Sequence, residues 1–104
     1  MSEAAERNWV IELLPRAIAG LEDLLEQHGD ETFNQALEDI LALEEDPTPK
    51  DAERPRSTKD HYRIYICRSR YRAIYRILFQ KRRVLIKRVG PRGSVYLRGG
   101  YVRW

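Results

Sequence analysis

The side chains best suited to chemistry in this chain are arginines and tyrosines in its second half. Arg63 and Arg72 fall on two strands predicted to pair, so both side chains can share one face of a sheet. Arg92 and Tyr96 follow, four residues apart around a Gly-Ser turn. A guanidinium offers several charged N–H donors to a phosphate, and cations beside a tyrosine favour the phenolate, which can accept a proton. Together they suit phosphodiester chemistry, although each arginine alone could be a solvated surface residue and Tyr96 a packing residue.

The charges of the chain are separated along its length. Residues 1–53 hold three Lys/Arg and fifteen Asp/Glu, a net charge of −12, whereas residues 54–104 hold sixteen Lys/Arg and one acid, a net charge of +15. The whole chain therefore carries only +3. One explanation is that the two halves attract each other within the fold. The other, which we favour, is that the basic half faces a polyanion that relieves its self-repulsion.

Composition excludes several classes of protein. A chain of 104 residues is long enough for one domain, which we expect to span 1–104. It has no apolar stretch that could cross a membrane and no signal-peptide pattern at its start. The single cysteine, Cys67, cannot form an internal disulfide, which favours a reducing, cytoplasmic location. With only His28 and His61 beside it, widely spaced, no metal site and no other cofactor are expected.

A change in hydrophobic period along the chain predicts an α+β fold. A short N-terminal strand at 9–13 precedes a helix that begins at Pro15, and a Gly29-Asp30 turn leads into a second helix that ends before Pro47. An exposed loop over 46–60 follows, and then the period becomes two, which is typical of strands. The expected strands of this antiparallel β-meander are 62–67, 71–79, 84–89 and a short fourth at 94–97.

The two helices form an antiparallel hairpin that covers the apolar side of the predicted sheet. Arg63, Arg72 and Arg76 then project from the opposite face. Acidic side chains of the second helix, including Asp39, are expected to stay in solvent rather than to bind a metal.

Several short motifs in this order resemble the RelE/ParE superfamily of toxins from type II toxin–antitoxin systems, and most closely its RelE branch. The resemblance covers Trp9 to about Tyr96 and includes the order strand, helix, helix, sheet. The motifs are Pro55-Arg56-Ser57, Tyr62-Arg63-Ile64, Tyr71-Arg72-Ala73-Ile74-Tyr75, Arg88-Val89-Gly90-Pro91-Arg92 and Val95-Tyr96. Toxins of the RelE branch cleave messenger RNA in the ribosomal A site, so the resemblance implies a ribosome-dependent endoribonuclease.

The resemblance also implies roles for individual residues. The implied catalytic residues are Arg63, Arg72, Arg92 and Tyr96, and the implied RNA-binding residues are Arg56, Tyr65 and Arg76. Tyr65 stands where the RelE type commonly has a second lysine, and the Glu and His acid–base pair of some relatives has no match. An aromatic ring at this position could stack on a splayed base.

Three functions remain open at this point. The first is messenger-RNA cleavage on the ribosome, and the second is ParE-type inhibition of DNA gyrase without catalysis. The third is a basic RNA- or protein-binding module without toxicity, which Tyr65 favours. Either toxin implies a cognate antitoxin as partner, and the first also implies messenger RNA on the ribosome.

Overall fold

The computed structural model describes residues 8–54 and 61–91. Two helices and a four-stranded sheet form the α+β fold that the sequence predicts. In this range no helix is long and apolar enough to cross a membrane. The elements are β1 (Val10–Leu13), α1 (Pro15–His28), α2 (Asp30–Leu41), a 3-10 helix (Ala42–Glu44), β2 (His61–Ile66), β3 (Tyr71–Leu78) and β4 (Arg83–Pro91).

The sheet has the strand order β1-β4-β3-β2. Strands β2, β3 and β4 form the predicted antiparallel meander, whereas β1 pairs with β4 in parallel, from Val10 opposite Arg83 to Leu13 opposite Ile86. The sequence analysis predicted β1 as a strand but did not predict its partner, and this parallel pairing adds β1 at the edge of the meander. The meander leaves one edge of β4 unpaired, and β1 pairs along that edge. Strand β1 runs parallel to β4, and the chain passes directly from its end into α1. The short strand predicted at 94–97 lies outside the described residues.

Both helices bury one narrow stripe against the sheet. Pro15 occupies the first turn of α1, where the missing N–H costs no hydrogen bond. Gly29, at φ 90°, makes the turn between the helices, and Asp30 and Glu31 suit the positive end of the α2 dipole. The buried residues of α1 and α2 are Ala17, Leu21, Leu24, Ala36 and Ile40. Ile18 and Leu41 fall at helical spacing with these residues in the sequence, but both are exposed.

The core lies between the helices and one face of the sheet. Tyr75 and Ile77 of β3 and Val84 and Ile86 of β4 are almost completely buried in it. Helix α1 approaches β4 so closely that a Cβ atom on Gly20 would lie 1.9 Å from the carbonyl oxygen of Val89. In the described part of the chain both helices pack on this face, so the opposite face, called the outer face below, has no helix over it.

A β-bulge interrupts the pairing of β3 with β4. Ile74 lies opposite Arg88, but the next residue, Tyr75, lies opposite Ile86, so Lys87 is the extra residue on β4. Alternation from Ile86 places Lys87 on the outer face, and pairing with Ile74 places Arg88 there as well. The bulge therefore gives the outer face one more cation than a regular strand would.

Candidate nucleic-acid interface

The outer face brings together the side chains that the sequence analysis predicted to share it. Tyr65 on β2 is paired with Arg72 on β3. Two residues along each strand Arg63 is paired with Ile74, and two residues beyond them His61 is paired with Arg76. Directly paired residues point to the same side of a sheet, as do residues two apart on one strand. Arg63, Arg72 and Arg76 are therefore on one face, opposite the helices. Their roles in binding and cleavage stay predictions.

Arg72 and Tyr65 form a close pair on the outer face. The guanidinium carbon of Arg72 lies 4.9 Å from the centre of the Tyr65 ring, and Nη2 donates a hydrogen bond of 3.2 Å to the Tyr65 hydroxyl. Arg72 is only 6% exposed, and the ring of Tyr65 helps to offset the cost of burying its charge. One side of that ring is thus occupied by Arg72, so only the other could stack on a base.

Arg63 is paired with an acid, which the sequence analysis did not anticipate. Its Nε donates to Glu53 Oε1 at 2.9 Å, and its Nη2 contacts the same oxygen. The backbones of Glu53 and Arg63 also form an isolated antiparallel bridge, with hydrogen bonds of 2.9 and 2.8 Å. Glu53 belongs to the acidic half, so for Arg63 the two halves of the chain do attract each other within the fold. The pair fixes the Arg63 guanidinium at the edge of β2.

Residues 46–54, the described part of the predicted loop, make hydrogen bonds to the sheet. Besides the Glu53–Arg63 bridge, the buried hydroxyl of Tyr75 donates a 2.8 Å hydrogen bond to the carbonyl oxygen of Pro47. The backbone N–H of Thr48 donates to the carboxylate of Asp46 at 3.1 Å. The prediction of an exposed loop is therefore wrong where Pro47 packs under β3. Residues 55–60, which include the predicted RNA-binding Arg56, lie outside the described residues.

Lys87 is a candidate binding residue that the sequence analysis missed. Its Nζ lies 3.3 Å from Nε2 of His61, so the lysine reaches from β4 across β3 to β2. Arg76, which is exposed, lies directly opposite His61 on the intervening strand. A sequence signal was available, because alternation from the buried Val84 and Ile86 already places Lys87 on the outer face.

Two predicted catalytic residues follow the end of β4. Arg92 and Tyr96 lie outside the described residues, and nothing in the fold tests their roles. The last described residues of β4, Gly90 and Pro91, are opposite Arg72 and Tyr71. The backbone thus reaches the Arg72 end of the outer face immediately before position 92.

The hydroxyls of Tyr71 and Tyr75 on the core side have raised pKa values and stay protonated. Burial raises the pKa of Tyr75 far above its ordinary value, and the nearby Tyr62, Asp46 and Asp51 raise it further. Burial also raises the pKa of Tyr71, whose ring meets that of His28 edge to face. Protonated hydroxyls in these positions support the core rather than a reaction.

Cys67 is a buried residue at the start of the β2–β3 turn. Burial, and then the charge of Asp39, raises the pKa of its thiol, so the thiolate is disfavoured, as expected for a residue that is not a nucleophile. Its backbone N–H donates to Asp39 Oδ2 at 2.9 Å. It begins a turn in which Cys67, Arg68 and Ser69 all have positive φ. Asp39, predicted to stay in solvent, is instead half-buried and anchors this turn to α2. In the described residues no cluster of His, Cys, Asp or Glu could hold a metal ion.

Most of the chain matches a known protein family. Residues 11–96 match the family described as the ParE toxin of the type II toxin–antitoxin system parDE. No curated protein matches the chain significantly.

Three similar solved structures are RelE toxins. The isolated E. coli RelE toxin is 23% identical with a TM-score of 0.65, and the match covers 85% of this chain and 90% of that one. The RelE–RelB complex of Pyrococcus horikoshii is 21% identical with a TM-score of 0.65, covering 83% and 97%. The RelBE toxin–antitoxin complex of Mycobacterium tuberculosis is 21% identical with a TM-score of 0.66, covering 82% and 92%. The RelE structures share the helical hairpin and the sheet of this chain, and the family match over most of its length leads to one conclusion: the protein belongs to the ParE toxin family of type II toxin–antitoxin systems.

Proposed function

We propose that this toxin is a ribosome-dependent endoribonuclease that cleaves messenger RNA in the cytoplasm. The observation that carries the proposal is the grouping of Arg63, Tyr65 and Arg72 on the outer face of the sheet, on two directly paired strands. Guanidinium groups next to an aromatic ring suit a single-stranded nucleic acid, since they can bind its phosphates while the ring meets a base.

The proposed reaction needs no metal or other cofactor. The 2′-hydroxyl of one nucleotide attacks its own 3′-phosphate, so that a 2′-oxygen–phosphorus bond forms and the bond to the 5′-oxygen breaks. The products are a 2′,3′-cyclic phosphate and a 5′-hydroxyl, which takes a proton from solvent. Arg63 and Arg72 stabilise the charge on the phosphorane oxygens. Tyr96, as phenolate, accepts the 2′-hydroxyl proton, and Arg92 stabilises the leaving oxygen by its charge rather than by giving up a proton.

The contacts that Arg63 and Arg72 make within the protein affect how readily each can bind a phosphate. Arg63 must exchange Glu53 for the phosphate, or share its donors between them, and Arg72 must act from beneath Tyr65. The ion pair is easily exchanged, because Glu53 is 45% exposed and solvent screens it. The site proposed here thus has its cations held in place before RNA arrives, which lowers the cost of ordering them.

A cognate antitoxin is the proposed protein partner. The RelE toxins of P. horikoshii and M. tuberculosis are complexed with antitoxins. By analogy, an antitoxin would wrap the sheet or the helices of this toxin and prevent it from reaching its target.

The second candidate function is inhibition of DNA gyrase. It is favoured by the match to the ParE family and by Tyr65, which stands in place of the second lysine of the RelE type. In that case the outer face would bind protein or DNA without cleaving RNA.

Induced expression separates the two candidates. The endonuclease should stop translation and leave transcripts cut within codons, whereas a gyrase inhibitor should stop replication and damage DNA. With purified components, ribosome-programmed cleavage should fail on a messenger RNA that has a 2′-deoxynucleotide at the cut site.

Tyr96→Phe tests catalysis against binding. This variant should cleave roughly 10²–10⁴-fold more slowly while sedimenting with ribosomes like the wild type, because only the hydroxyl is removed. Tyr101→Phe removes the same group from a nearby residue and is the matched control. Cleavage by Tyr96→Phe at the wild-type rate would remove Tyr96 from the mechanism.

A further inference from the structure

Lys87 and His61 meet on the outer face at the distance of a hydrogen bond to a ring nitrogen. A lysine ammonium has three donors and no acceptor, so at 3.3 Å it can only donate to Nε2 of His61. Nε2 must then carry a lone pair, and the ring is neutral with its proton on Nδ1. A neutral imidazole is held among cations.

The surroundings of His61 explain why the ring is neutral. Lys87 faces it from β4, and Arg76 lies directly opposite on β3. On β2 itself, Arg63 is two residues away with its partner Glu53. Adding a proton to the ring would place another positive charge beside these groups, which they oppose. An arriving anion would reverse that preference.

We propose that His61 and Lys87 form a phosphate-binding site that takes up a proton when it is filled. A phosphate oxygen is a stronger acceptor for the Lys87 ammonium than an imidazole nitrogen is. When Lys87 turns to the phosphate, Nε2 of His61 loses its donor, accepts one proton from solvent and becomes a second charged donor to the same phosphate. The identity of the ligand, a backbone phosphate of RNA, rests on the proposed function.

This site is distinct from the proposed catalytic group. Along β2, His61 is two residues from Arg63 and four from Tyr65, distances of about 7 and 13 Å in a strand. It would therefore hold a different phosphate of the same strand from the one at Arg63 and Arg72. Basic grooves that follow the backbone of a single strand use such successive contacts.

The chain offers a direct experiment, because His28 and His61 are its only histidines. Their ring protons can be followed by NMR from about pH 5 to 8, without and with a saturating 2′-O-methyl oligoribonucleotide, which cannot be cleaved. His61 should titrate at least about one pH unit higher with the probe, so that binding is roughly tenfold tighter at the acid end than at the alkaline end. His28, on α1 against Tyr71, should not move and is the internal control.

Variants make the test specific. Lys87→Gln should abolish the shift of His61 and weaken binding, and Lys87→Arg should keep both. Lys81→Gln removes the same charge from the exposed β3–β4 turn and should keep the shift. A probe that binds without moving His61, or that does not bind at all, would overturn the phosphate site. Loss of cleavage activity with the His61 response intact would overturn the endonuclease instead.

Discussion

The guanidinium of Arg72 is stacked on the ring of Tyr65 and hydrogen-bonded to its hydroxyl, so the tyrosine stabilises the positive charge of the arginine. A lysine at position 65, as in the RelE type, could do neither. Tyr65→Lys should therefore lower the free energy of unfolding by about 1–3 kcal/mol, because it removes the acceptor of a buried charge and adds a like charge. Tyr65→Phe keeps the ring and should lose less, about 1 kcal/mol. Urea unfolding measures both, and equal stability of Tyr65→Lys and wild type would contradict the argument.

Glu53 competes with phosphate for Arg63. Glu53→Gln should make RNA or ribosome binding severalfold tighter at low salt and increase its salt dependence, because one more cation becomes available to release counterions. Glu45→Gln changes the net charge equally at an exposed site and is the matched control. Equal effects of the two variants on affinity would show that only net charge matters.

Gly20 allows α1 to approach β4. Alanine usually stabilises a helix by about 1 kcal/mol relative to glycine, but here its Cβ would meet backbone atoms of Val89. We expect Gly20→Ala to lower the free energy of unfolding by about 1–3 kcal/mol, since the helix or strand must shift. Ala19→Gly, the reverse exchange at the adjacent exposed position, should cost only the helix propensity. A stabilised Gly20→Ala protein would refute the close approach.

The carboxylate of Asp39 holds the β2–β3 turn. Asp39→Asn should destabilise the protein by about 1–3 kcal/mol, because the amide is a weaker acceptor for the backbone N–H of Cys67 and the turn has three positive φ angles to maintain. Glu38→Gln neutralises the adjacent, exposed carboxylate and should change the thermal midpoint little. If both variants melt alike, Asp39 is not an anchor.

Because of Tyr75, the free energy of unfolding should change with pH in the alkaline range. Its pKa is higher in the folded protein than in the unfolded chain, so the folded state holds the proton more tightly. The resulting stability is fully present below about pH 10 and is lost as the pH rises further, by at most about 1.4 kcal/mol per pH unit. Tyr75→Phe should flatten this loss while lowering stability at neutral pH, since the hydrogen bond to Pro47 is gone. Urea unfolding at several alkaline pH values, with tyrosinate absorbance as a second signal, measures both effects.

The sequence could predict those parts of the fold that depend on local periodicity. The helices after Pro15 and Gly29 and the strands β2, β3 and β4 have clear periods and clear ends. The partner of β1 could not be read in this way, because strand order depends on which sheet edge is left unpaired after the helices pack.

In the candidate site, too, features that depend on local periodicity could be predicted and features that depend on distant residues could not. Alternation was enough to place Arg63 and Arg72 on one face, because it needs only the strand period. The pairing of Arg63 with Glu53 could not be predicted, because a loop residue ten positions away forms the bridge. Alternation from Ile86 could have placed Lys87 on the outer face, but the bulge that brings Arg88 to the same face leaves no mark in the composition of the strand.

The parallel pairing of β1 with β4 also bears on when the protein can fold. The N-terminal strand finds its partner only at residues 83–86, so the ribosome must release most of the chain before the sheet can close. Contacts at such long sequence separation form late and slow folding, because a large loop must be closed first. A nascent or truncated chain that lacks β4 would leave β1 and the inner face of α1 without the strand on which they pack. Synthesis itself therefore delays the appearance of the folded toxin until β4 has been made.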